Sequence, residues 1–232
     1  MSERSENGNG APMIRLEKVG KSFARGKDQL EVLKGIDLQI PEGAFEALMG
    51  PSGSGKSTLL NLIAGLDQPT TGRLTVAGAE VGAMSEGERA KWRAANIGFV
   101  FQTYNLMPVL TAIENVELPL LLAKLPSDER RKRAEIALRV VGLEQRGNHR
   151  PRELSGGQEQ RVAIARAIVA DPKILVADEP TGDLDRESAN EILNLLERLN
   201  KEFNKTIVMV THDPAAAERA SIVRRLDKGN LV

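Results

Sequence analysis

The chain has 232 residues, no cysteine, and 32 Lys+Arg against 32 Asp+Glu. That length suits one α/β domain with subdomains, and a net charge of zero excludes a nucleic-acid coat or a polybasic membrane anchor. Lack of cysteine rules out a disulfide framework or a thiolate metal site and is compatible with a reducing compartment.

In chain order, residues 1–12 are polar and rich in Gly and Asn, and they read as a disordered tail ahead of a folded unit at 13–232. Residues 13–45 and 71–83 carry short strand-like pieces and turns. Four aliphatic runs, at 47–49, 97–101, 174–177 and 206–211, lack polar alternation and so predict parallel strands buried on both faces. They end in Gly50, Gln102, Asp178-Glu179 and His212-Asp213. Ligands of open α/β sheets bind beyond the carboxyl ends of the strands, which makes these four clusters candidates for one site. Glu46 interrupts the first run; a lone buried carboxylate is unfavourable, so it is expected at a wet strand start or beside a cation.

Helical patterns lie between the strands. Ser85-x-x-Glu88 and Thr111-x-x-Glu114 are capping boxes, and Ser127 with Asp128 and Glu129 opens another helix. Residues 103–152 hold helices and no clear strand, as a helical insertion into the sheet would. The basic run at 129–133 reads as a solvated helix face, and His149 as a loop histidine. From 188 to 203, Ile192, Leu195, Leu196, Leu199 and Phe203 fall on one helical face. The most apolar stretch, 106–123, is broken by Glu114, Glu117 and two prolines, short of the roughly 20 apolar residues of a membrane helix. A membrane role would therefore need a partner.

Gly50-Pro51-Ser52-Gly53-Ser54-Gly55-Lys56-Ser57 fits the phosphate-loop pattern G-x-x-x-x-G-K-[ST]. Its glycines let successive N–H groups turn toward phosphate oxygens. Lys56 would neutralise the β and γ phosphates, and the Ser57 hydroxyl would bind Mg²⁺. The helix from Lys56 through Thr58 aims its positive end at the anion. The apolar strand before the loop and the apolar helix after it supply the context this pattern needs. Asp178, at a neighbouring strand end, is the second candidate Mg²⁺ ligand. Glu179 is the candidate general base for the attacking water, and His212 is placed to reach the γ-phosphate.

Leu154-Ser155-Gly156-Gly157-Gln158 then precedes a helix, and Ser155-x-x-Gln158 is itself a capping-box spacing. With the phosphate loop upstream and Asp178-Glu179 downstream, this order resembles the nucleotide-binding domain of ATP-binding-cassette (ABC) transporters. The resemblance covers nearly all of 13–232. It implies a P-loop NTPase core with a mostly parallel sheet, an antiparallel β subdomain and a helical signature subdomain at about 103–157. It also implies ATP hydrolysis with Mg²⁺. Phe23 would stack on adenine, with residues 50–58 on the phosphates, and Gln102 would touch Mg²⁺ or the attacking water. Ser155, Gly156, Gly157 and Gln158 would cap the ATP of a second copy in a head-to-tail homodimer, and the loop with Asp183 and Asp185 would cross to that copy. Residues 65–72 and 101–119 are similar to the lipoprotein-release and macrolide-efflux subgroup, with a cell-division ATPase as a near relative. That likeness implies a cytoplasmic subunit held on the inner face of the membrane by an FtsX/MacB-type permease, with no nucleic-acid partner. An ATP-driven regulatory clamp without transport is the alternative. A P-loop kinase would leave residues 154–158 unexplained.

Overall fold

The computed structural model describes residues 11–26 and 28–232; most of the expected tail, residues 1–10, lies outside them. Two sheets carry the fold. Strands β1 (Ile14–Arg25), β2 (Asp28–Ile40), β4 (Thr71–Val76) and β5 (Ala79–Glu80) form an antiparallel sheet in the order β2-β1-β4-β5. A second sheet runs β10-β9-β3-β8-β7-β6, built from β3 (Phe45–Met49), β6 (Ile97–Val100), β7 (Ile174–Asp178), β8 (Thr206–Val210), β9 (Ile222–Asp227) and β10 (Asn230–Leu231). All its pairings are parallel except β9 with β10.

The four aliphatic runs are strands of this second sheet, and its core explains their composition. Leu175 and Ala177 of β7 pack on one face with Ala47, Ile207 and Met209. Ile174 and Val176 pack on the other with Leu48, Val208 and Val210. Both faces are covered, so every position must be apolar. Strand β9 was not legible: its Ile222 and Val223 are exposed, and Arg224 and Arg225 follow them.

Helix α1 (Lys56–Ile63) closes one face of the sheet with Leu59, Leu60, Leu62 and Ile63, all fully buried; each contributes about 2 kcal/mol of hydrophobic stabilisation. The opposite face carries α3 (Ala112–Glu117), α4 (Ser127–Val140), α5 (Gly156–Ile168) and α6 (Arg186–Phe203). The short α7 is Pro214–Ala217, and α2 (Glu86–Asn96) precedes β6. Capping boxes are formed at Ser85/Glu88, Thr111/Glu114 and Ser155/Gln158. Among the described residues, the chain from β6 to α5 holds helices and turns but no strand.

Ser127 opens α4 as expected, as its first helical residue after Pro126, with Asp128 and Glu129 in the first turn. Other local details differ from the sequence reading. Helix α6 starts at Arg186, because the Asp185 side chain accepts from Glu187 N and Ser188 N. Phe203 is not on the buried face: it ends the helix 47% exposed, where the core stripe has already turned under Leu199. The basic run on α4 is largely spent inside the chain, Arg131 on Glu117 and Arg133 on Glu129. Glu46, the second residue of β3, is fully buried and takes the cationic alternative, pairing with Arg224 of β9 at 2.7 Å.

Candidate functional site

Register assembles the site. Leu48 of β3 pairs with Val210 of β8, Asp178 of β7 also pairs with Val210, and Val100 of β6 pairs with Ala177. The residues after these positions therefore emerge along one edge, and the four polar clusters are brought together there.

At that edge the chain leaves β3 as a curled loop. Gly50 has φ 154°, and a Cβ there would collide with the backbone carbonyl of Leu226 in β9. Gly55 caps α1 in the left-handed region at φ 104°, where its lack of a side chain removes the steric cost. Lys56 folds back over the loop, its Nζ donating to the carbonyls of Gly50 at 2.8 Å and Pro51 at 3.0 Å. The turn between β9 and β10 supports the loop from below, as Gly229 N donates to Ser54 O at 3.1 Å. The result is a cavity of about 530 Å³. It is lined by Gly50, Ser52, Gly53, Gly55, Lys56, Ser57 and Thr58, by Glu179 and His212 across from them, and by Leu30, Val32 and Val210. Pro51 and Ser54 shape the loop without lining the cavity, and Ser54 Oγ is buried with no partner.

Glu179 lines the cavity, and Asp178 stands behind Ser57 at its edge. Ser57 Oγ donates to Asp178 Oδ1 at 3.4 Å. Burial pushes the Asp178 carboxyl above its ordinary value and the charge of Glu179 adds to this, while the Ser57 hydroxyl and Lys56 oppose it. Glu179 sits in the left-handed region at φ 49°, which costs a non-glycine residue about 1–2 kcal/mol. Its N–H donates to Val210 O at 2.9 Å, which holds that conformation against β8. His212 Nδ1 lies 2.7 Å from Glu179 Oε2, so the imidazole and the carboxylate form one unit. Among the described residues no cluster of three or more metal-ligating His, Asp or Glu side chains occurs. Ser57 Oγ and Asp178 supply two hard oxygen donors. They fit Mg²⁺, which binds through one or two protein oxygens plus the phosphates of its substrate.

The other expected site residues stand at the rim or beyond it. Gln102 bonds to Asp183, not to Ser57 or Asp178: its Nε2 donates to Asp183 Oδ1 at 2.9 Å. Phe23 is exposed on β1 outside the cavity, with Lys21 Nζ 4.8 Å from its ring centroid. Its partner in register is Leu30, which does line the cavity. Asp185 is the α6 cap described above. Ser155, Gly156, Gly157 and Gln158 form the first turn of α5, and none of them lines the cavity of their own chain. The glycines sit in tight surroundings there. A Cβ at Gly156 would lie 3.0 Å from Tyr104 Oη, and one at Gly157 3.0 Å from Ser188 Oγ. Sequence reasoning missed Leu30 and Val32, which lie on a β2 edge with no motif. It also missed Gly229, whose only signal is a Lys-Gly turn near the chain end.

A parallel sheet whose strand-loop-helix cradle faces two strand-end carboxylates defines a P-loop NTPase. Residues 33–182 match the ABC transporter family, and the chain belongs to it as an ATP-hydrolysing cassette of the MacB-like kind. The ABC transporter ATP-binding protein MJ0796 of Methanocaldococcus jannaschii is 50% identical over 223 residues, 94% of this chain and 95% of that protein. The macrolide export ATP-binding/permease protein MacB 1/2 of Paracoccus denitrificans is 50% identical over 223 residues, 96% of this chain. The chain spans 33% of the length of that protein. A dimeric structure of MJ0796 in a post-hydrolysis state, bound to ADP and Pi, superposes with a TM-score of 0.86 at 45% identity. The match covers 94% of this chain and 96% of that one.

Proposed function

We propose that this chain is the ATP-binding and hydrolysing subunit of a bacterial transporter, and that two copies close head to tail over two ATP molecules while docked on a MacB/FtsX-type permease. The observation that carries this reading is that the cavity has a phosphate cradle and a carboxylate, yet the glycine-rich first turn of α5, a ready anion site by its N–H groups and dipole, lies outside it. On this reading each cavity is half a reaction chamber. In a head-to-tail pair that turn, residues 155–158, would cap the γ-phosphate held by the other copy, with Asp183 at the seam.

Within each chamber Lys56 and the loop N–H groups bind the phosphates, and Leu30, Val32 and Phe23 offer the apolar and aromatic surface for the base. Glu179 accepts the proton of the attacking water on its carboxylate, and His212 orients that carboxylate through Nδ1. Mg²⁺, held by Ser57 and Asp178 with the phosphates and joined by Gln102 once it leaves Asp183, would neutralise charge on the transferring group. The permease would seat in the apolar groove between α2 and residues 118–125. Ala90, Ala94, Pro119 and Leu125 line it, and Leu122 stands 81% exposed. Among the described residues no helix is long and apolar enough to cross a membrane. In this reading the groove holds the subunit at the inner membrane face.

Glu179→Gln tests the chemistry and the assembly together. Turnover should fall about 10²–10⁴-fold, the usual contribution of a general base. The variant should elute as a dimer with ATP, whereas Ser155→Arg should bind ATP as a monomer without turning it over. A specific activity independent of protein concentration would sink the shared-chamber reading.

A further inference from the structure

Gln160 is a fully buried polar side chain that the site as described does not use. It lies on α5, five residues after the Ser155 cap. Its Nε2 donates to Pro180 O at 2.6 Å and to Phe101 O at 3.2 Å. Both amide hydrogens are thus committed, while Oε1 is buried with no partner. An apolar side chain would avoid that orphaned oxygen but would leave two carbonyls without donors.

The identity of the two carbonyls gives the bond its meaning. Phe101 precedes Gln102 and Pro180 follows Glu179. Strands β6 and β7 pair in register only as far as Val100 and Ala177. Among the described residues no β6–β7 ladder bond lies beyond that pair to set the spacing of the two segments as they enter the site, and the Gln160 amide bridges them instead. The same helix grips the Gln102 segment further along. Arg166 donates to Tyr104 O at 2.7 Å and Asn105 O at 2.6 Å, two residues held in the left-handed region.

We propose that Gln160 is a positioning residue for hydrolysis. It ties α5, whose first turn meets the partner's nucleotide in the dimer, to the backbone beside Gln102 and Glu179 of its own site. Capping of one ATP is then felt, through a single amide, at the base that cleaves the other. This rests on the dimeric ATPase reading above.

The test uses the full chain carrying Gln160→Met or Gln160→Glu. With Gln160→Met, kcat should fall by up to about 10²-fold, the effect of displacing reacting groups by a change away from the chemistry. The Hill coefficient for ATP should drop toward one, while the affinity of the monomer for a fluorescent ATP analogue stays within about twofold of native, since no cavity residue has changed. Gln160→Glu sets a carboxylate against two carbonyl oxygens, and protonation restores one donor. Its activity relative to native should therefore rise as the pH is lowered while circular dichroism shows the same folded fraction across the range; a rise that only follows the folded fraction would overturn the positioning role. Native-like kinetics, a Hill coefficient that persists as kcat falls, or loss of affinity in step with kcat would each overturn the proposal. A native chain without turnover would refute the ATPase reading instead. Amide hydrogen exchange would then decide the tie: faster exchange at 101–103 and 179–183 in Gln160→Met supports it, and unchanged exchange overturns it.

Discussion

Replacing Arg224 by methionine should be among the more damaging single changes remote from the cavity. Glu46 is fully buried, and its two oxygens meet Arg224 Nε at 2.7 Å and Nη2 at 3.3 Å, a side-on pair that joins β3 to β9. The arginine side chain keeps 33% of its surface in water, so its own desolvation is incomplete, whereas that of the carboxylate is complete. Removing the cation leaves a buried charge uncompensated, which destabilises by about 3–5 kcal/mol. Partial access of water on the arginine side favours the low end, about 3 kcal/mol, still a large part of a typical total stability of about 5–15 kcal/mol. Glu46→Val with Arg224→Met removes both partners and should return to within about 1 kcal/mol of native, because an apolar pair avoids both desolvation penalties. Urea unfolding of the native chain, the two single variants and the double variant gives the coupling energy directly, expected at about 2 kcal/mol or more. A loss below about 1 kcal/mol for Arg224→Met, or a double variant no more stable than that single one, would refute the argument.

Other expectations follow from local geometry. Gly50→Ala forces a Cβ against the Leu226 carbonyl, which is backbone and cannot turn aside; nucleotide titration should show lost affinity, and urea melts a destabilisation of about 1–3 kcal/mol. Asp185→Ala deprives two N–H groups at the start of α6 of their acceptor, a loss of about 1 kcal/mol by urea unfolding; an unchanged midpoint would remove Asp185 from the cap. The N–H and then the hydroxyl of Thr111, with the charges of Arg131 and Arg150, hold the Glu114 carboxyl below its ordinary value. Its stabilising contribution is therefore complete above the ordinary glutamate pKa and is lost as pH falls through the lowered one. Glu114→Gln should flatten the acid decline of stability in that window and leave the alkaline side as it was.

What could be read from the residues in order is what is decided locally. The phosphate loop is eight consecutive residues whose glycines, lysine and serine each answer one geometric need, and the strand before it and the helix after it are adjacent in the chain. The four buried strands announce themselves because a sheet covered on both faces admits no polar alternation, and the capping boxes because a cap and its partner lie three residues apart. Tertiary structure alone decided the rest. Glu46 reads as a misplaced carboxylate until β9 brings Arg224, 178 residues away, beside it. Strand β9 hides because Leu226, next to its end, is its one fully buried residue, and Phe203 continues a buried stripe in sequence but ends beyond the surface that would bury it. Gln102 finds Asp183 across 81 residues, and Gln160 finds two backbone carbonyls, which no side-chain pattern can announce. Propensity and periodicity act over a few residues along the chain, whereas these contacts exist only once strand order has brought distant segments to the same edge.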